Sequence, residues 1–157
     1  MLSENVGVRE GIQIKEIRTE IRINASASVV WNILTDFGAF PQWNPFMVYL
    51  IGKPEEGEKI EVKMVPPGSK GMVFKPTVLK FQKDKEFRWL GHTGFPGLFD
   101  GEHILELIEN SDGTTTFIQR EKFNGILLPM LKKSLDNGTK AGFEAMNKKL
   151  KQICETK

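Results

Sequence analysis

The 157-residue sequence predicts an α+β domain in which an antiparallel sheet is layered against helices, and three observations carry that prediction. Residues 16–23 alternate strictly between charged or polar and apolar side chains. From Met47 to Phe123, short runs of the same alternation are separated by tight turn signals. From about Ile126 to the end, apolar residues recur at threes and fours. Strands joined by short turns pair antiparallel, and helices segregated to one side of such a sheet make an α+β layer architecture. With 39% hydrophobic and 27% charged residues, the composition is that of an ordinary globular chain, long enough for one self-sufficient core.

Taken in order, residues 1–15 read as a loosely ordered N-terminal segment, and 16–157 as one domain without repeats or linkers. Ile17, Thr19, Ile21 and Ile23 fall on one side of the first strand, with Glu16, Arg18, Glu20 and Arg22 on the other, the pattern of a half-buried strand. Asn24 to Ser28 offers several N-caps. Val29, Val30, Ile33 and Leu34 then follow at helical spacing in a short helix that Gly38 stops. The next stretch, FGAFPQWNPF over 37–46, concentrates three Phe, one Trp and two Pro. Its prolines are too close for an ordinary helix interior, and its aromatics too many for an exposed loop. Strands are expected over Met47–Ile51, over Lys59–Val65 with Ile60, Val62 and Met64 inward, and over Met72–Gln82. Pro76 inside the last run implies an edge position or a bulge. Glu86–Thr93 is the next strand, broken by GFPG. Glu102–Glu109 and Thr115–Phe123 form a hairpin around NSDG. The final helix carries Leu131, Leu135, Gly138, Gly142, Met146, Leu150 and Ile153 on one stripe and lysines on the opposite face.

Composition bounds the function. A formal net charge of +2 is too small to argue for a nucleic-acid partner. The single cysteine, Cys154, rules out an internal disulfide framework and fits a reducing compartment. Charged residues interrupt the N-terminus, which argues against a signal peptide, and no stretch approaches 18 apolar residues, so a cytoplasmic location is expected. Residues 127–157 hold seven lysines against three acidic residues. That basic face is either a solvated helix surface or one that meets an anionic membrane.

Two features are unusual for a plainly packed core. Gly138 and Gly142 lie on the apolar stripe of the long helix, where each glycine costs about 1 kcal/mol relative to alanine. Either the helix leaves a cavity on that face, or it approaches the sheet closely. The hairpin, moreover, turns polar groups inward. His103 shares a face with Leu105 and Leu107, and Gln119 and Glu121 share one with Phe117 and Phe123. A buried carboxylate and imidazole need partners or water. A satisfied structural pair answers that need, and so does a partly wet internal cavity of the kind small molecules occupy.

The stretches INASASVVWNILTDFGAFPQWNPF (23–46), GLFDGEHILELI (97–108), FNGILLPML (123–131) and GFEAMNKKLK (142–151) resemble the START-like, or SRPBCC, superfamily with its helix-grip fold. They are most similar to small bacterial polyketide cyclase/dehydrase-like members. The resemblance implies a seven-stranded antiparallel sheet curled around the long C-terminal helix, two short helices after the first strand, and a pocket between sheet and helix. Trp43 and Phe46 would line or plug its floor.

On that reading the protein binds a hydrophobic small molecule, such as a lipid, isoprenoid or polyketide, without a cofactor. Met64, Phe74, Trp89, Leu105 and Phe117 would line the pocket from the sheet. Leu131, Leu135, Gly138, Gly142 and Met146 would line it from the helix. His103, Gln119 and Glu121 would orient one polar group, and Phe95 and Leu98 would form part of the mouth. The alternative is a cyclase, dehydratase or hydrolase using Glu121 or His103 as general acid/base. The iron site of the superfamily's Rieske-associated domains needs two histidines and a carboxylate. Here His92 falls on the outward side of its strand, so no metal site is expected.

Overall fold

The computed structural model describes residues 8–9 and 12–156. The elements run β1 (Val8–Arg9), β2 (Ile12–Ile23), α1 (Ala27–Leu34), a 3-10 turn (Phe37–Ala39), α2 (Phe40–Trp43), β3 (Met47–Ile51) and β4 (Glu61–Met64). They continue with β5 (Met72–Phe74), β6 (Thr77–Gln82), β7 (Glu86–Thr93), β8 (Phe99–Glu109), β9 (Thr115–Asn124), α3 (Leu128–Ser134), a π turn (Leu135–Thr139) and α4 (Lys140–Glu155). All strand pairings are antiparallel.

The expected single seven-stranded sheet is replaced by two sheets. Six strands run in the order β1-β2-β9-β8-β7-β6, and three in the order β3-β4-β5. The physical cause is Pro76. It breaks the 72–82 run into β5, which stays with β4, and β6, which forms the edge of the larger sheet. The sheets remain stitched at that break. Ile60 N–H donates to the Pro76 carbonyl at 3.0 Å, and Val78 N–H to the Glu58 carbonyl at 2.9 Å.

Part of the loose segment expected over 1–15 lies outside the described residues. Within it, β2 already begins at Ile12 and pairs Ile14 with Asn124. The first helix is capped by Ser26, whose Oγ accepts the Val29 N–H. It ends at Leu34 rather than at Gly38. Its buried side is Ala27, Val30, Trp31 and Leu34, so Val29 faces out. The long C-terminal helix is two segments joined by a π turn, and Lys15 Nζ holds Asp136 of that turn at 2.6 Å.

The aromatic knot closes one end of the layer. Phe40 and Phe46 are buried, and Phe37 packs 5.5 Å from Phe40 and 5.8 Å from Phe87, ring centre to ring centre. Pro41 sits in the first turn of α2, where its missing N–H costs nothing. Asn44 Oδ1 then accepts the N–H groups of Phe46 and Met47 at 3.1 and 2.9 Å, which turns the chain into β3.

The outer face carries an ion network. Lys80 and Arg88 both hold Glu86, and Arg88 also reaches Glu102 at 2.9 Å. Burial pushes the Glu86 carboxyl upward, but the hydrogen bonds and charges of Lys80 and Arg88 outweigh it and hold the group below its usual range.

Candidate functional site

On the inner face of the large sheet, residues line up in rows across the strands. Trp89 pairs with His103, and His103 with Glu121. The next row is Gly91, Gly101 and Phe123. The row on the other side is Phe87, Leu105 and Gln119, with Thr19 beyond on β2. The Gly91–Gly101 pair leaves a patch of sheet without side chains beside Trp89 and Glu121. A pocket of about 540 Å³ opens over that patch, a size in the range of small-molecule sites.

Three walls bound the pocket. The sheet contributes Trp89, Gly91, Thr93, Phe99, Gly101, Glu121 and Phe123. The β4–β5 hairpin folds over as a second wall with Met64, Pro66, Ser69, Lys70, Gly71, Met72 and Phe74, then Pro76. Leu131, Leu135 and Thr139, one helical turn apart along α3 and the π turn, make the third. Phe46 stands at the inner end, while the exposed Lys70 and Met72 mark the open side.

Of the residues expected to line a cavity, the structure brings Phe46, Met64, Phe74, Trp89, Glu121, Leu131 and Leu135 together around this pocket. The others lie elsewhere. Leu105, Phe117 and Met146 are buried members of the core and do not line the pocket. His103 lies behind the pocket wall, stacked 4.8 Å from Trp89 and edge-on 5.1 Å from Phe143. Gln119 is fully buried one row further in. Trp43 packs edge-on against Phe40 and does not reach the pocket. Phe95 is exposed, and Leu98 is taken up by the segment that docks on the approach to α3, its carbonyl accepting the Leu127 N–H at 3.1 Å.

The glycines resolve differently from a cavity. A Cβ on Gly142 would stand 2.4 Å from Phe46 Cδ2, so this position is a close approach of helix to ring. One on Gly138 would meet only Pro66 Cβ at 3.5 Å. Gly142 is thus not part of the pocket lining but stands against Phe46, which is. The glycines that make room are Gly91 and Gly101, which the sequence reading passed over. Simple alternation from Phe87 and Trp89, and back from His103, places both inward.

The polar groups form one buried chain. His103 Nδ1 lies 3.2 Å from Glu121 Oε1, and Nε2 lies 3.0 Å from Gln119 Oε1. Gln119 Nε2 donates to Asn147 Oδ1 at 2.7 Å, and Asn147 Nδ2 donates to Thr19 Oγ1 at 2.8 Å. Thr19 Oγ1 donates to the Gln119 carbonyl at 3.0 Å. Asn147, absent from the expected site, thus ties α4 to the sheet beneath the pocket. Glu121 is 7% exposed and, among the described residues, is the one ionisable side chain that is both buried and in the pocket wall. His92 points out, paired with Asp100 at 2.7 Å. Among the described residues, no cluster of three or more His, Cys, Asp or Glu could hold a metal ion.

Comparison with known proteins agrees with this architecture. The family model described as polyketide cyclase / dehydrase and lipid transport matches residues 15–155. No curated protein matches the chain. Among solved structures, the Zhui aromatase/cyclase from Streptomyces superposes with a TM-score of 0.72 at 11% identity, covering 90% of this chain and 94% of that one. Norcoclaurine synthase from Thalictrum flavum, solved with dopamine and hydroxybenzaldehyde, gives 0.70 at 14% identity over 92% and 88%. A START superfamily protein from Mycobacterium smegmatis gives 0.65 at 18% identity over 88% and 98%. At such identities these likenesses speak for the fold alone. The family match over nearly the whole chain, joined to the α+β layer with its antiparallel strands and long C-terminal helix, places the chain in the polyketide cyclase / dehydrase and lipid transport family.

Proposed function

We propose that this protein binds an apolar small molecule in the pocket over Gly91 and Gly101, with one polar atom of the ligand at Glu121. The observation that carries the reading is a pocket of about 540 Å³ whose buried wall is aromatic and aliphatic apart from one carboxylate. An apolar molecule gains roughly 25 cal/mol for each Å² it removes from water there, and a single buried polar group fixes its orientation. The family's description, which includes lipid transport, supports a hydrophobic ligand. The test is native against denaturing mass spectrometry of protein purified without added ligand, followed by extraction. A released apolar compound at one per chain supports the reading. A homogeneous empty protein that also fails to take up any apolar probe argues against it.

The second reading, chemistry at the same place, is favoured by the Glu121–His103 contact, since a carboxylate backed by an imidazole can move a proton at the pocket wall. Turnover of a bound compound that is lost in Glu121→Gln, with binding retained, selects it. Binding without turnover selects the carrier.

A further inference from the structure

The ligand's polar group can be specified from proton bookkeeping along the buried chain, an inference that rests on the pocket reading above. The chain has a fixed starting point. A backbone carbonyl only accepts, so the single hydroxyl hydrogen of Thr19 goes to the Gln119 carbonyl. Thr19 Oγ1 must then accept from Asn147, so the Asn147 amide turns its NH2 to Thr19 and its oxygen to Gln119. Gln119 in turn gives its NH2 to Asn147 and its oxygen to His103. His103 Nε2 faces that oxygen and must carry a hydrogen. Each direction follows from the one before it.

The other ring nitrogen faces Glu121 Oε1. A bare Nδ1 against an ionised carboxylate would set two lone pairs together in a buried site, which is costly. The contact therefore holds one proton, either on Nδ1 donated to Oε1 or on Oε1 donated to Nδ1. Both arrangements leave the pair neutral overall. Both also leave Glu121 Oε2 without a hydrogen. This oxygen has no hydrogen-bond partner among the described residues, and it lies 3.3 Å from where a Cβ on Gly101 would stand, at the bare floor of the pocket.

We infer that the pocket selects apolar molecules bearing a hydroxyl or N–H donor, which Glu121 Oε2 accepts, and discriminates against those that offer only an acceptor or a carboxylate. Thr19, Asn147 and Gln119 are positioning residues that fix the His103 tautomer and, through it, the acceptor.

The experiment compares three probes of one shape, 2-naphthol, 2-methoxynaphthalene and 2-naphthoate, by calorimetry and tryptophan fluorescence. The expected result is that 2-naphthol binds about tenfold or more tighter than either analogue, the value of one hydrogen bond to a charged or charge-sharing group. In Asn147→Leu, which frees the tautomer without touching the pocket wall, that preference should shrink while the probes still bind. Nitrogen-15 NMR of the unliganded wild-type protein gives a check that needs no variant, and His103 should carry hydrogen on Nε2. Equal binding of 2-naphthol and its methyl ether, or tighter binding of 2-naphthoate, overturns the inference and leaves the pocket reading standing. So does a His103 ring whose Nε2 is bare. Failure of all three probes to bind overturns the pocket reading and the inference with it.

Discussion

Replacing Gly142 by alanine tests how the helix, the aromatic knot and the pocket are coupled. The new Cβ would lie 2.4 Å from Phe46 Cδ2 and 2.6 Å from Cε2, where unstrained carbon pairs sit about 3.5–4.0 Å apart. The ring must move by roughly 1 Å. Phe143 stands edge-on to it with centroids 5.5 Å apart, while the pocket leaves open space at the inner end that Phe46 walls. The ring therefore moves into the pocket. Overpacking costs about 1–3 kcal/mol, and the gain in helix propensity returns about 1 kcal/mol. A net loss near 1 kcal/mol lowers Tm by about 2–4 °C in a domain of this size. Calorimetric melting and 2-naphthol titration read the two effects together, and affinity should fall by about tenfold or more as the ring fills the inner end. A variant that melts higher than wild type, as propensity alone would give, and binds the probe unchanged would refute the argument.

Three further outcomes follow from the same geometry. Asn147→Leu leaves the Gln119 amide and the Thr19 hydroxyl short of a partner and should cost about 1–3 kcal/mol in a denaturant melt, against near-neutrality for the exposed neighbour Lys148→Ala. Gly101→Ala places a methyl 3.3 Å from Glu121 Oε2; it should weaken the preference for 2-naphthol over its methyl ether more than it changes Tm, and an unaltered preference counts against Oε2 as the acceptor. Glu86 has a folded value held below the usual 4.5, so its stabilisation is full above that value and disappears as pH falls through the lower, folded one. Glu86→Gln should accordingly flatten the acid limb of a stability-against-pH curve below about pH 4.5, and an acid limb unchanged from wild type would remove Glu86 from the account.

Much of the layer was legible because it rests on local periodicity. Alternation put Ile17, Thr19 and Ile23 inward and His92 outward, and it turned His103, Gln119 and Glu121 to the inner face, all as observed. What escaped depends on contacts distant in sequence. Pro76 was readable as an interruption, but that it hands one run to two sheets depends on the partners β4 and β7. Gly142 was open between cavity and close approach until Phe46, 96 positions earlier, was placed against it. Asn147 sits between Met146 and Lys148 and reads as the edge of the polar face, yet it is 2% exposed because Gln119 and Thr19 satisfy it. The turn signal PPGSKG marks where the chain reverses and carries no information about what it covers, so Pro66, Ser69 and Lys70 could not be foreseen as a pocket wall. Leu105, Phe117 and Met146 were assigned to the pocket on inward direction alone, and inward direction does not separate a pocket wall from the packed core in which all three are buried.

The most direct test of the central claim is an amide NMR titration of the whole chain with 2-naphthol. Saturable shifts are expected to concentrate on Trp89, Gly91, Gly101, Phe123 and Leu135, the residues around the bare floor. Shifts confined to exposed positions such as Phe95 and Met130, or none at saturating probe, would contradict the claim.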